Sequence, residues 1–282
     1  MNLGVFMLVK NEANWLPYHL LSFKDVVSEW CFYDGNSTDG TLEILEYMKS
    51  KYGLNIRVFK DKDPKDLQDD YARLFDECLN QLTTEYALFA HPDMVLVGGS
   101  KPDLSALAAT VEMDHFGGDP GGPIFKFTEG RGRTWKIIMK RALGLHYFGH
   151  YGAQNEDMYF RDITGDSHIL HNDLNLYPYE IEDSGLKIHH YSDVRPYRRR
   201  LGRMMSALKV QYPGSEESAL KEMAVSHPRV CLSSSNPWPG FAFSEHSDIP
   251  NIFTKHCDEF AQVLGKPLEE VLWLPSLPVK VS

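Results

Sequence analysis

The first hundred residues alternate between short apolar runs and amphipathic segments. Residues 3–9 form a continuous apolar run, which is typical of a strand covered on both faces, and apolar residues recur at helical spacing over 14–24. The elements predicted after these are strands at 29–33, 55–59 and 86–90 and helices at about 42–50 and 70–82. Strands that alternate with helices predict an α/β fold with a mainly parallel sheet and right-handed crossovers.

Polar and acidic residues follow the carboxyl ends of these predicted strands. In open α/β sheets, ligands bind beyond those ends. The residues found there are Lys10, Asn11, Glu12, Asp34 to Asp39, Asp61, His91 and Asp93. An acidic cluster repels a bare phosphate unless a divalent cation lies between them, and Mg²⁺ or Mn²⁺ can bridge carboxylate and diphosphate oxygens. The pattern predicts a metal-assisted site for a phosphate-bearing ligand.

Composition narrows the classes of protein. The chain has 282 residues, 43% of them hydrophobic, and a net charge of −10, which disfavours extended binding to nucleic acid. It has no apolar run of about 18 residues, and residues 1–10 lack the basic lead and cleavage site of a signal peptide. We therefore expect a cytoplasmic protein. Its four cysteines show no metal-type spacing and are expected to be free thiols.

Two segments resemble family-2 glycosyltransferases, especially the bacterial branch with lipopolysaccharide core transferases. They are Leu8-Val9-Lys10-Asn11-Glu12 and Tyr33-Asp34-Gly35-Asn36-Ser37-Thr38-Asp39-Gly40-Thr41. The resemblance implies a GT-A (Rossmann-like) fold, with a mixed, mainly parallel sheet flanked by helices, and a UDP- or GDP-sugar donor. It assigns the donor's nucleotide to Lys10, Asn11, Glu12, Asp34 and Asp39, to which we add Arg73. From the residues alone, Asp34 can also simply end a strand and Asp39 cap a helix.

The segment Leu88-Phe89-Ala90-His91-Pro92-Asp93 falls where that family carries its Asp-x-Asp metal motif. His91 stands in place of the first carboxylate. The resemblance also places a histidine-bearing strand at Lys187-Ile188-His189-His190-Tyr191-Ser192, so the expected metal ligands are His91, Asp93 and His190. An imidazole suits Mn²⁺ better than Mg²⁺, and the departure leaves metal dependence open. The alternative is a strand-end turn with Pro92 fixing the backbone and Asp93 solvated.

The segment Gln154-Asn155-Glu156-Asp157-Met158-Tyr159-Phe160-Arg161 resembles the Glu-Asp segment that opens a helix and supplies the catalytic base. Asp157 is the first candidate for this base and Glu156 the second, in a single displacement that inverts the sugar. At a helix start, both carboxylates can instead merely favour the macrodipole. In the basic stretch after His190, Arg198 and Arg199 are candidates to offset the diphosphate or to meet an anionic lipid surface; a solvated helix face is the alternative.

We expect a catalytic domain over 1–210 and, over 211–282, a mostly helical or irregular appendage that contacts the acceptor or a second copy. Prolines divide that appendage around one predicted helix at 252–264. The region 98–149 is expected to be less regular, apart from a strand predicted at 135–141. The acceptor stays open among glycan, lipid-linked and other hydroxyl groups, as do peripheral membrane contact and a homo-oligomer. The competing functions are a nucleotidyltransferase, a metal-dependent hydrolase and a non-catalytic sugar-nucleotide-binding protein.

Overall fold

The structure is a computed structural model that describes residues 2–60, 71–118, 124–127, 133–144, 146–148, 159–161, 167–169, 180–194, 214, 243–246 and 257–265. The strands are β1 (Leu3–Val9), β2 (Glu29–Asp34), β3 (Ile56–Lys60), β4 (Tyr86–Phe89), β5 (Met94–Gly98), β6 (Ala108–Gly118), β7 (Ile124–Phe127), β8 (Arg133–Lys140), β9 (His146–Phe148), β10 (Tyr159–Arg161), β11 (Ser167–Ile169), β12 (Ile181–Val194) and β13 (Phe243–His246). The helices are α1 (Leu16–Phe23), α2 (Thr41–Tyr52), α3 (Tyr71–Gln81) and α4 (Cys257–Leu264), with a short 3₁₀ helix at Arg141–Leu143.

The described strands form a mixed sheet of ten strands and a small sheet of three. In the large sheet the order runs β3-β2-β1-β4-β8-β6, with β12 and then β5 beyond β6, while β7 and β13 continue beside the end of β6. Strands β1 to β4, β6, β12 and β13 point one way, and β5, β7 and β8 point the other. The small sheet has the order β11-β10-β9.

Helices cover both faces of the parallel half of this sheet. On β1, Val5 and Met7 pack with α1 and α2, whereas Phe6 packs with α3 on the opposite face. Because a strand alternates its side chains, burial on both faces produces the continuous apolar run seen in the sequence. The order 3-2-1-4 of the first four strands is that of a Rossmann-like sheet. The predicted α/β fold, mixed and flanked by helices, is confirmed.

The boundaries of the first helices follow local chemistry. Helix α1 starts two residues later than the sequence pattern indicates, because the N–H groups of Trp15 and Leu16 first form a turn on the carbonyl of Glu12. A proline in the first turn of α1 removes no helical hydrogen bond. Helix α2 ends at Gly53, whose φ of 63° is the left-handed conformation that stops helices.

Two predictions about the middle of the chain are wrong. The region 98–149 was expected to be less regular, yet it holds β6, one of the longer strands of the large sheet; the strand predicted within it at 135–141 is confirmed as β8. A helix was expected to open at Glu156 and Asp157, but Tyr159–Arg161 is a strand that pairs with β9 and β11. Tyr159–Arg161 is therefore not part of a helix, while Glu156 and Asp157 lie outside the described residues.

The described parts of the C-terminal segment contact the main sheet and its helices. Strand β13 pairs antiparallel with β7, and α4 packs against α2. The boundary at residue 210 remains a prediction. Among the described residues, Cys31 and Cys78 are buried free thiols, as expected. Within the same parts of the chain, none of the helices is long and apolar enough to cross a membrane.

Candidate active site

The strand order reverses between β1 and β4, and at such a reversal a Rossmann-like sheet has its ligand crevice, beyond the carboxyl ends of the strands. In a Rossmann-like sheet the connections leave β1 and β4 in opposite directions at this point, so a ligand can enter between their ends. Residues 10–15, which we name the β1α1 loop, follow β1. The His91–Met94 turn follows β4. The topology therefore brings the segments with Asn11 and Asp93 to the same edge.

The β1α1 loop is hydrogen-bonded to residues 35–40, which we name the β2α2 loop. The Asn11 N–H donates to Ser37 Oγ at 2.9 Å, and the Thr38 N–H donates to Asn11 Oδ1 at 2.8 Å. Asn11 and Asn36 have φ values of 58° and 60°, which asparagine tolerates better than most residues. These contacts hold the ends of β1 and β2 as one rigid pair of loops.

Asp39 joins the same two loops. Its Oδ2 accepts the Ala13 N–H at 3.1 Å, and its Oδ1 accepts the Thr41 N–H at 3.1 Å and the Thr41 hydroxyl at 2.6 Å. The Thr41 Oγ1 in turn accepts the N–H of Glu12 at 2.8 Å. Asp39 therefore caps the start of α2, as the alternative interpretation has it, and also ties α2 to the β1α1 loop. Its contact with a donor nucleotide remains a prediction.

Asp34 ends β2 and is 1% exposed. Its carboxylate accepts the Ser37 N–H at 3.2 and 3.3 Å, and the Lys60 ammonium lies 3.6 Å away. These contacts fix the carboxylate at the end of β2, and its hydrogen bond to a base or ribose remains a prediction. Lys10 is exposed directly after β1. Arg73 lies in the first turn of α3, half-exposed, and pairs with Glu77 one turn later.

Asp93 lies in a tight turn between β4 and β5. The Met94 N–H donates to the His91 carbonyl at 3.1 Å, which closes the turn, and Pro92 fixes the backbone at its second position. Asp93 is only 2% exposed, so the alternative that made it a solvated turn residue is wrong on this point. The Tyr191 N–H donates to the Asp93 carbonyl at 2.9 Å and attaches the turn to β12.

The histidines predicted as metal ligands converge on this turn. His190 Nε2 lies 3.2 Å from Asp93 Oδ1, and the His91 and His190 rings stack with their centroids 5.4 Å apart. His115 adds a third ring, 5.0 Å from His190. The other nitrogen of His190, Nδ1, is buried and has no hydrogen-bond partner among the described residues. His190 thus contacts the other two imidazole rings and the Asp93 carboxylate.

These residues fit a cation that is completed by its substrate. Among the described residues, no group of three or more His, Cys, Asp or Glu side chains is arranged to hold a metal ion. Mg²⁺ is usually held by one or two protein ligands together with substrate phosphates, and imidazole adds affinity for Mn²⁺. Asp93 Oδ1 and His190 Nε2, which lie 3.2 Å apart, suit that kind of site better than a closed protein cage.

His19 is a buried residue beside this site that the sequence pattern did not single out. It lies in α1, is 0% exposed, and its Nδ1 is 2.8 Å from the Met94 carbonyl, while its Nε2 has no hydrogen-bond partner in the described part of the chain. Burial lowers the pKa of His19 to about 4, against smaller opposing effects of the Met94 hydrogen bond and the charge of Asp93. His19 is therefore neutral at pH 7 and anchors the turn to α1.

Asp114 is a second buried carboxylate that the sequence pattern missed. It is 1% exposed, and its Oδ2 lies 2.7 Å from Lys126 Nζ and 3.1 Å from Lys187 Nζ. Burial opposes ionisation of Asp114, but the two ammonium groups outweigh it and lower its pKa. The paired carboxylate holds β6, β7 and β12 together one residue before His115.

Four predicted site residues, Glu156, Asp157, Arg198 and Arg199, lie outside the described residues. The described part of the candidate site therefore consists of the β1α1 and β2α2 loops together with the His91–Met94 turn. Of the predicted set, His91, Asp93 and His190 are brought into contact, and Asn11, Asp34 and Asp39 share one pair of hydrogen-bonded loops.

No family model matches the chain, and the comparison with curated proteins found no match. Among solved structures the chain is similar to S. aureus TarS 1–349 in complex with UDP-GlcNAc, with a TM-score of 0.43 and 16% identity, covering 98% of this chain and 84% of that one. It is similar to the mannosyltransferase PcManGT from Pyrobaculum calidifontis in complex with GDP-Man and Mn²⁺, with a TM-score of 0.40 and 12% identity over 81% and 77% of the two chains. It is also similar to the inositol-1-phosphate CTP transferase from T. maritima, with a TM-score of 0.30 and 11% identity over 96% and 97%. At these scores the fold assignment rests on the strand order itself.

Proposed function

We propose that this chain is a glycosyltransferase that moves a sugar from a UDP- or GDP-sugar to an acceptor hydroxyl, with inversion and with help from a divalent cation. The observation that carries the proposal is the reversal of strand order between β1 and β4, because the hydrogen-bonded β1α1 and β2α2 loops and the buried Asp93 lie at the same edge of the sheet. The resemblance of residues 8–12 and 33–41 to family-2 glycosyltransferases supports the same function.

The loop pair is suited to bind the nucleoside. Asp34 is buried and already fixed by the Ser37 N–H. A hydrogen bond from the ligand to its carboxylate would therefore cost little further side-chain conformational entropy. Hydrogen bonds of Asn11 and Asp39 join the β1α1 loop to the β2α2 loop. Rigid loops of this kind orient the donor so that its anomeric carbon faces the acceptor side of the crevice.

In this proposal the donor's diphosphate lies beside Asp93, in the His91–Met94 turn between β4 and β5. Asp93 and His190 would hold a Mn²⁺ or Mg²⁺ ion there, with His91 stacked beside them. A bound divalent cation stabilises the negative charge that develops on the departing diphosphate. Arg198 and Arg199 are assigned to the same charge, and Asp157, with Glu156 second, is assigned as the base that removes the acceptor proton.

A panel of UDP- and GDP-sugars, assayed for release of nucleoside diphosphate with Mn²⁺, with Mg²⁺ and with EDTA, tests the proposal. Asp93→Asn is expected to lower donor-dependent release by about 10²-fold or more, the range seen when one group that stabilises transition-state charge is removed. Asp25→Asn is the matched control, because Asp25 is 81% exposed at the far end of α1 and pairs only with its neighbour Lys24 among the described contacts.

The products separate the competing functions. A nucleotidyltransferase releases pyrophosphate from a nucleoside triphosphate, and a hydrolase releases free sugar at a rate independent of any acceptor. A non-catalytic sensor binds the donor without turnover. The proposal is abandoned if no nucleoside diphosphate forms with any donor, or if Asp93→Asn turns over as fast as Asp25→Asn.

A further inference from the structure

The carboxylate of Glu259 joins helix α4 to α2. The Oε1 atom of Glu259 accepts hydrogen bonds from the hydroxyls of Tyr47 at 2.6 Å and Tyr52 at 2.8 Å, and the Lys51 ammonium lies 3.0 Å from the same atom. Burial and the hydrogen bond to Glu259 raise the pKa of Tyr52 to about 12, so its hydroxyl stays protonated and donates at physiological pH. Three donors on α2 thus fix the start of α4.

The last residues of α4 pack beside the β1α1 and β2α2 loops. Leu264 and Val263 pack against the core cluster that contains β1, α1 and α2. A Cβ atom placed on Gly40 would lie 2.4 Å from Leu264 Cδ2 and 4.0 Å from the Cβ of Ala13. Leu264 therefore occupies the space where the β2α2 loop, which ends at Gly40, meets the β1α1 loop.

Gly40 is the residue through which this contact reaches the site. Its φ of +100° is open to glycine and strained for other residues, and it stands between Asp39 and Thr41. Both neighbours bond the β1α1 loop, since Asp39 accepts the Ala13 N–H and Thr41 accepts the Glu12 N–H. A shift of Gly40 moves both bonds at once.

We propose that α4 holds the two loops in their donor-binding arrangement, and that Leu264 is a positioning residue for the nucleotide, acting through Gly40. The part that concerns nucleotide binding rests on the proposed function; the coupling of α4 to the loops does not. This gives residues 257–264 a role in donor binding, although the sequence pattern indicated only acceptor or oligomer contacts for that segment.

The test compares Leu264→Ala with Gln262→Ala, an exposed residue of the same helix, and with the conservative Leu264→Met. Hydrogen exchange of the Ala13, Thr38 and Thr41 amides reports the loops directly, without any ligand. Leu264→Ala is expected to speed exchange at these amides selectively. Exchange in the strand core, for example at Phe6, is expected to stay as slow as in the wild type, and Leu264→Met is expected to restore loop protection.

Nucleotide binding gives the second readout. If the variant keeps the binding-competent loop arrangement about one tenth of the time, the Kd for UDP or GDP rises about tenfold. The donor KM rises with it, whereas kcat at saturating donor is unchanged, because the bound state is the same. Should Leu264→Ala not fold, Glu259→Gln serves instead, since it weakens the docking contact without opening a cavity.

The outcomes separate the two ideas. Unchanged loop exchange in folded Leu264→Ala, or equal effects in Gln262→Ala, overturns the coupling. If loop exchange is faster in Leu264→Ala but the wild-type protein binds neither UDP nor GDP, the coupling of α4 to the loops is supported and the proposed function is wrong. Faster exchange with an unchanged Kd overturns the positioning role of Leu264.

Discussion

The buried neutral His19 predicts a loss of stability in mild acid. Burial lowers its pKa from 6.5 to about 4, so the unfolded chain takes up a proton at His19 between these two pH values and the folded chain does not. The stabilising contribution is therefore fully present above pH 6.5 and is lost as the pH falls towards about 4. One proton changes the free energy of unfolding by about 1.4 kcal/mol per pH unit, which gives a loss of about 3 kcal/mol between pH 7 and pH 4.

The variant His19→Asn isolates this effect. The asparagine amide can place an N–H near the position of Nδ1 and donate to the Met94 carbonyl, but it does not titrate. Loss of the ring that packs 4.6 Å from Phe23 costs stability at every pH, by about 2 kcal/mol. That term is constant, so it does not alter the pH dependence of the difference between wild type and variant.

Urea unfolding at several pH values from 4 to 7 measures both proteins. Titrations of the carboxylates that both share cancel in the difference when they lie away from position 19. We expect the variant to be less stable than the wild type at pH 7 and to gain about 3 kcal/mol relative to it by pH 4. A difference that stays constant with pH would refute the assignment of His19 as a buried neutral imidazole.

Three further predictions concern substitutions of single residues. Asp114→Asn is expected to lower the free energy of unfolding by about 2 kcal/mol, measured by urea denaturation, because two lysines that are each about one-third exposed lose their counter-charge but can regain water. Gly40→Ala is expected to cost about 2 kcal/mol in the same assay through its positive φ and its contact with Leu264; part of that loss should return in the double variant with Leu264→Ala. Asp157→Ala is expected to keep nucleotide binding, measured by calorimetry, and to lose transfer; normal turnover would remove Asp157 as the base.

The parallel half of the sheet could be predicted from the sequence because its signals are local. The run from Leu3 to Val9 is apolar throughout since helices cover both faces of β1, and the glycine at position 53 marks the end of α2. Because the carboxyl ends of parallel strands lie at the same edge of a sheet, the sequence alone predicts that Asn11, Asp34 and Asp93 share one edge. These inferences need only the neighbouring residues and the general geometry of α/β sheets.

Contacts between distant segments could not be predicted in the same way. Strand β6 carries Glu112 and Asp114, which break an apolar pattern, and their charges are matched by Lys187 on β12, more than 70 positions along the chain. A window of ten residues therefore gives no sign of a buried strand. His19 likewise gains its role from the Met94 carbonyl, 75 residues away in the sequence.

The proposed cation site at Asp93 differs in sequence from the metal motif of the resembling family. The His91-Pro92-Asp93 turn keeps one carboxylate and adds imidazoles from His91 and His190. If the transition-metal preference of imidazole governs the site, Mn²⁺ should support more activity than Mg²⁺ at equal concentration. Equal activity in EDTA would remove the cation from the proposal and leave the crevice and its donor specificity to stand alone.

The most direct test of the account is a crystal structure of the protein with the nucleoside diphosphate that it binds most tightly, in the presence of Mn²⁺. The account predicts that the nucleoside lies against the β1α1 and β2α2 loops, within hydrogen-bond distance of Asp34, and that the diphosphate points to Asp93 and His190. A ligand bound on any other surface, with the crevice between the ends of β1 and β4 empty, would contradict it.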